Sequence, residues 1–213
     1  MSSRGIRGRR LLLGLLVILL VAVVPSVVVP TLACRPGPPE LPELGSVPAF
    51  NLTDERGQPF TQAALDGNVT IVNFIFTRCD TICPLISGRM EKIQEKTGVA
   101  GAAIKMVSFT VDPAYDTPAQ LAEFAKRYHA DPARWRFVTG TANDMKPIVE
   151  GAFWNSMDNE GTRASGAPSI AHNGHFILVD GNRKIRGTYD SADVRRLDDL
   201  LRDARYLLRT STI

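Results

Sequence analysis

The segment NVTIVNFIFTRCDTICP, residues 68–84, constrains this chain more than any other. Residues 68–77 form a nearly continuous apolar and β-branched run. A strand wetted on one face alternates polar with apolar residues, so an uninterrupted run is the pattern of a central strand covered on both faces. Cys79 and Cys83 come immediately after it, with Pro84 directly behind and a helical pattern from about Pro84 to Lys96. That order predicts Cys79 in the loop at the C-terminal end of the strand and Cys83 at the start of the helix. In open α/β sheets this edge is where sites form.

The remaining pattern supplies the rest of a sheet. AAIKMVSFTVD (102–112) reads as a second strand. In DTPAQLAEFAKRYHA, Thr117, Pro118 and Gln120 suit an N-cap, the first helical position and the third position of a capping box. Leu121, Phe124, Ala125 and Tyr128 then share one helical face. RWRFVTG (134–140) is a short strand, and residues 141–153 are helical within the limit set by Pro147. GHFILVD and KIRGTYD pair as a hairpin around Gly181 and Asn182. A closing helix starts near Asp190, with Val194, Leu197, Leu201, Ala204 and Leu208 as its apolar stripe. FNLTDERGQPFT (50–61) reads as a hairpin turning at Gly57. Strands alternating with helices, then a hairpin and a helix, predict a three-layer α/β domain. With a cysteine motif between the first central strand and its helix, the opening is thioredoxin-like, and an extra N-terminal β-hairpin fits the larger members of that class.

The chain has 213 residues and a net charge of +3, and Arg4, Arg7, Arg9 and Arg10 all lie in its first ten residues. The remainder is therefore near neutral, which argues against a nucleic-acid surface. Residues 11–34 carry no charge. At about 1.5 Å per helical residue such a run can cross a hydrocarbon core of roughly 30 Å, although Pro25 and Pro30 weaken its second half. Arginines before an apolar span stay in the cytoplasm, so the chain beyond the span is exported. Residues 35–48 hold five prolines, a composition that favours an extended spacer. The organisation predicted is a basic cytoplasmic N-terminus (1–10), a transmembrane anchor or signal segment (11–33), a Pro-rich linker (34–48) and a folded domain (49–213). A cleaved signal peptide, or lipoprotein processing at Cys34 in TLAC, are the other readings of the same segment.

Three readings compete for Cys79 and Cys83. A structural disulfide suits an exported protein, but so short a loop removes little unfolded-state entropy. A dithiol redox catalyst normally carries two residues between its cysteines, and here Asp80, Thr81 and Ile82 intervene. A metal site is the third reading, since two thiolates suit copper(I) and an imidazole commonly completes such a set. A helix N-terminus favours thiolate, the form that both metal and redox chemistry need. The chain has three histidines. His129, at the end of a capped helix, reads as a surface residue, whereas His172 and His175 flank Asn173-Gly174 just before FILVD. That strand is expected beside the one leading to Cys79. Asp112 closes the second strand on the same edge, either as a group supporting the site or as an Asp-Pro turn residue.

Together, NFIFTRCDTICP, SFTVDP and HNGHFILVDGNRKIRGTYD resemble the Sco (SenC) copper chaperones of cytochrome c oxidase assembly. The resemblance runs from about Ala49 to Leu208. It implies a thioredoxin-like copper-binding domain and a non-enzymatic role, with Cys79, Cys83 and His172 as ligands of one copper, as copper(I) or copper(II). It also implies a single-pass protein of the bacterial inner membrane with its domain facing the periplasm. That protein would deliver copper to the dinuclear centre of oxidase subunit II or keep that subunit's cysteines reduced. A periplasmic copper donor and a thioredoxin-like reductant are the further partners implied. The alternative is a thiol-disulfide oxidoreductase or peroxiredoxin-like enzyme, with Cys79 as nucleophile and Cys83 as resolver. Two departures from the family pattern stand out. Asn173 stands after His172 where the family usually has Ser or Thr, and His175 is an additional histidine. The small, polar segment 155–171 reads as a loop that carries His172.

Overall fold

The computed structural model describes residues 40–98, 104–164, 166, 168–170 and 174–210. Eight strands form the main sheet: β1 (Gly45–Ser46), β2 (Asn51–Asp54), β3 (Pro59–Thr61), β4 (Val69–Ile75), β5 (Ile104–Thr110), β6 (Trp135–Thr139), β9 (His175–Val179) and β10 (Lys184–Asp190). Two more, β7 (Asn159–Thr162) and β8 (Pro168–Ile170), pair as a second small sheet. The main sheet runs in the order β1-β10-β9-β4-β5-β6-β2-β3. β4, β5 and β6 are parallel, while β9 pairs antiparallel with β4 and β10 with β9. Helices α1 (Cys83–Thr97), α2 (Pro118–Arg127), α3 (Ala142–Lys146) and α4 (Val194–Thr210) complete the α/β arrangement. This is the mixed α/β, thioredoxin-like architecture expected from the motif order.

The central position of β4 follows from its composition. All seven of its residues are buried, because β9 and β5 flank it and helices cover the sheet. Phe74 of β4, Phe109 of β5 and Phe153 meet with ring centroids 5.6–6.3 Å apart, the tilted and offset contacts that aromatic quadrupoles favour. Three polar side chains in this core form a linked set. The Trp135 indole N–H donates to Ser108 Oγ at 2.9 Å, and the Ser108 hydroxyl donates to Asn73 Oδ1 at 2.6 Å. The N-terminal hairpin is fixed to β6 by charge. The Arg136 guanidinium contacts both Asp54 and Glu55, and the Phe137 amide donates to Glu55 at 2.9 Å. Asp54 also accepts from the amides of Arg56 and Gln58, which shapes the turn at Gly57 (φ 73°).

Several boundaries differ from the sequence reading. The folded unit begins at Leu41, not 49: part of the expected spacer forms β1 on the edge of β10, and Val47 is buried. Segment 155–171 is more than a loop, since it contains the β7–β8 pair. The expected helix over 141–153 is divided at Pro147. α3 stops at Lys146 and a π-helical segment, Pro147–Ala152, continues, because proline has no amide to donate to the helical ladder. The 181–182 turn includes Arg183, which takes the left-handed conformation (φ 63°) while Asp180 accepts from the amides of Asn182 and Lys184. α4 starts at Val194, not Asp190, and its buried face is Leu200, Leu201, Ala204 and Leu207; Val194 is 64% exposed. The capping box at Thr117 and Gln120 forms as the sequence predicts. Among the described residues no helix is long and apolar enough to cross a membrane, and segment 11–34 lies outside them.

The core network yields a stability prediction. Ser108→Ala removes the acceptor of the Trp135 N–H and the donor to Asn73, leaving two buried polar atoms unpaired. A loss of about 2 kcal/mol is expected. It should be read as a lower denaturant midpoint with the slope unchanged. An unaltered midpoint would show that the network adds nothing to stability.

Candidate metal and thiol centre

The site grows from the end of β4. Past Ile75 the chain leaves the sheet, and Thr77 is caught by Asp116. The Thr77 amide donates to both Asp116 oxygens at 3.2 and 3.1 Å, and the Thr77 and Thr110 hydroxyls each donate to it at 2.5 Å. Asp116 is fully buried, and burial pushes its carboxyl up against the lowering effect of these donors. Next to Thr77, Arg78 extends away and donates from Nε to Asp112 at 2.8 Å, with its guanidinium 4.3 Å from the Tyr115 ring centroid. The residues before Cys79 are thus pinned by two carboxylates of one loop, TVDPAYD.

Asp112 forms the turn that one reading of it expects. Its carbonyl accepts from the Tyr115 and Asp116 amides, as a turn residue's does, and its carboxylate holds the neighbour of Cys79. Asp116 escaped the sequence reading. The available signal was an aspartate shortly after a strand that ends in threonine, beside a second strand with a threonine just past its end.

Cys79 and Cys83 are unbridged and buried. Cys83 is the first residue of α1 and Pro84 the next, where a missing amide costs no helical hydrogen bond. The two sulfurs behave oppositely. The Cys83 side chain hydrogen-bonds to Cys79, and with Thr81 and the backbone amides of Cys83 and Thr81 it pulls the Cys79 thiol down to about 4, against the effect of burial. The Thr81 hydroxyl lies 3.5 Å from Cys79 Sγ. Burial, and then the adjacent Cys79, push the Cys83 thiol far above its ordinary value. The helix N-terminus thus favours thiolate at Cys79, which receives its amides, whereas Cys83, inside the first turn, stays a proton donor.

The strand entering from the other side arrives where the sequence suggested. A Cβ on Gly174 would stand 2.6 Å from Ile82 Cδ1, so this glycine backbone packs on the middle of the cysteine motif. Its carbonyl is held by the Ser191 amide at 2.8 Å. His172, two residues before it, lies outside the described residues. His175 opens β9, half-buried and opposite Asp190 of β10. Among the described residues no three His, Cys, Asp or Glu side chains form a group able to hold a metal. His129 is a surface residue, with Nδ1 2.7 Å from Glu91.

The charge asymmetry is directly measurable. Alkylation needs the thiolate, so the rate at Cys79 should rise as pH increases through about 4 and be flat across neutral pH. Cys83→Ala removes the largest lowering influence and should move that rise to higher pH. A wild-type rate still climbing between neutral and alkaline pH would contradict the assignment of Cys79 as the thiolate.

Comparison with known proteins is consistent with this geometry. The sequence profile of the SCO1/SenC family matches residues 41–208. A SCO1 protein homolog of Bacillus subtilis is 29% identical over 159 residues, covering 75% of this chain and 81% of its own. BsSco, described with a disulfide switch and as a member of the Sco family of cytochrome c oxidase assembly proteins, superimposes with a TM-score of 0.69 at 28% identity. That match covers 81% of this chain and 98% of BsSco. Arabidopsis thaliana ScoI with copper bound superimposes with a TM-score of 0.60 at 25% identity, covering 75% of this chain and 98% of that one. The profile runs from the start of the folded unit into the last turns of α4 and includes both cysteines, and this chain belongs to the SCO1/SenC family.

Proposed function

We propose that this chain is a membrane-anchored copper chaperone that holds one copper through Cys79, Cys83 and His172 and delivers it to subunit II of cytochrome c oxidase. The observation that carries the reading is the pair of buried, unbridged sulfurs, one held as thiolate, at the head of α1. Two soft donors in a site shielded from water suit copper(I), and copper(II) is also accepted by a thiolate–imidazole set. The contact between Gly174 and Ile82 supports His172 as the third ligand. Two residues of chain reach at most about 7 Å, so a side chain at 172 starts within range of the motif. Copper bound to Arabidopsis ScoI and the oxidase-assembly description of BsSco support the same cargo and pathway. The uncharged segment 11–33 after four arginines supports an inner-membrane anchor with the domain in the periplasm, where a copper donor and a thioredoxin-like reductant would serve it.

A second reading is favoured by the hydrogen bond between the sulfurs. A thiolate beside a protonated partner is the arrangement of a nucleophile and its resolver. Cys79 would attack a partner disulfide, forming a mixed disulfide and releasing one partner thiolate. Cys83, losing its proton, would then displace the second partner sulfur. The partner leaves with both cysteines reduced and this chain is left oxidised, so an external dithiol must restore it. The two readings share one requirement, since oxidised sulfurs hold no copper.

Copper titration tests the site. The reduced chain should bind one copper, and Cys79→Ser or Cys83→Ser should each abolish tight binding. Because Cys79 is already deprotonated and Cys83 is not, about one proton should be released per copper at neutral pH. With copper(II), the thiolate-to-copper charge-transfer band should collapse in His172→Ala and survive in His175→Ala. Retention of one tightly bound copper by the double cysteine variant would defeat the site assignment. Topology has its own check: alkaline phosphatase fused after Ile213 should be active, since it requires an oxidising compartment. Inactivity there would reverse the orientation.

A further inference from the structure

A groove of about 520 Å³ runs along α1 against the start of α4. Pro84, Leu85, Gly88 and Ile93 line it from α1, and Val194, Leu197 and Leu201 line it from α4. Leu85 is 45% exposed and Val194 64% exposed, although each is an apolar side chain on a helix whose opposite face is fully buried. Arg89, Lys92 and Lys96 lie along the same wall with Glu91, and Lys96 Nζ is 3.9 Å from the exposed Asp198.

Gly88 gives the groove its meaning. Glycine inside a helix costs about 1 kcal/mol relative to alanine, and it is normally retained where a neighbour needs the space. Among the described residues no atom outside its own stretch of helix lies within 4 Å of a Cβ built on Gly88. The fold therefore does not require the glycine, and its absent side chain leaves the floor of the groove open to an approaching backbone.

The upper end of the groove is Pro84 and Leu85, the two residues after Cys83. A chain seated there lies at the end of α1 that carries the cysteine motif. We infer that this groove docks the protein that receives the copper, through a segment that sets apolar side chains between Leu85 and Val194 and carboxylates against Lys92 and Lys96. The inference rests on the chaperone reading for the identity of that partner. The basic wall selects an acidic segment and speeds its encounter. The apolar floor and the open Gly88 set how closely it packs.

The test uses the full chain in nanodiscs, free of copper, and the apo copper-binding domain of oxidase subunit II, with affinity measured directly. Gly88→Leu sets a side chain into the groove from a position where a Cβ meets no neighbour and replaces glycine by a good helix former, so folding and copper titration should be unchanged. Subunit II binding should weaken about tenfold or more. Lys92→Glu with Lys96→Glu should weaken binding similarly, and raised salt should weaken the wild type. Unchanged affinity in both variants overturns the inference, as does a wild type that does not bind subunit II. If the wild type binds subunit II through the groove but takes up no copper, the chaperone reading fails while the docking surface stands. Loss in the variants of self-association, or of binding to phosphatidylglycerol vesicles, with subunit II binding intact, also overturns it and reassigns the groove.

Discussion

The site depends on one buried carboxylate. Asp116 receives the backbone and hydroxyl of Thr77 just after β4 and the hydroxyl of Thr110 at the end of β5. Two parallel strands end side by side there, and the chain leaving β4 would otherwise carry an unsatisfied amide out of the core. A single buried carboxyl group satisfies it, and leaving that amide unpaired would carry the full cost of its desolvation. The position of Cys79, two residues further on, depends on that anchor.

Downstream of the anchor, a short loop separates two chemically different sulfurs. Cys79 collects the donors that helix α1 offers at its N-terminus, while Cys83, inside the first turn, is enclosed by the core. Burial alone would keep both protonated; directed hydrogen bonds reverse that at only one of them. The pair therefore offers one sulfur ready to bind or attack and a second that must give up a proton first. Both copper uptake and disulfide exchange use that order.

The sheet edges explain the extra elements. A three-stranded parallel core extended by antiparallel strands would leave open edges available for unwanted pairing. The β2–β3 hairpin covers the β6 side, locked by Arg136 on Asp54 and Glu55, and β1 covers β10. What remains open is the groove between α1 and α4, where apolar side chains and cations lie together.

The sequence alone determined what is set within a few residues. The uninterrupted apolar run of β4, the capping box of α2, the turn at Gly57 and the place of the cysteines at a strand-to-helix junction all rest on local periodicity and local hydrogen bonds. Boundaries failed where distant packing decides. Residues 41–48 look like a spacer until β10 offers them an edge, and the stripe on α4 is rotated from the one read because the layer beneath buries Leu200 and Leu207 instead of Val194. Only the tertiary structure decided which aspartate anchors the motif, since Asp116 reaches Thr77 across 39 residues, and which cysteine is the thiolate. It also decided that Gly174 lies on Ile82, in the middle of the cysteine motif. Those outcomes depend on burial and on donors brought together from separate strands, and neither is encoded in the spacing of residues along the chain.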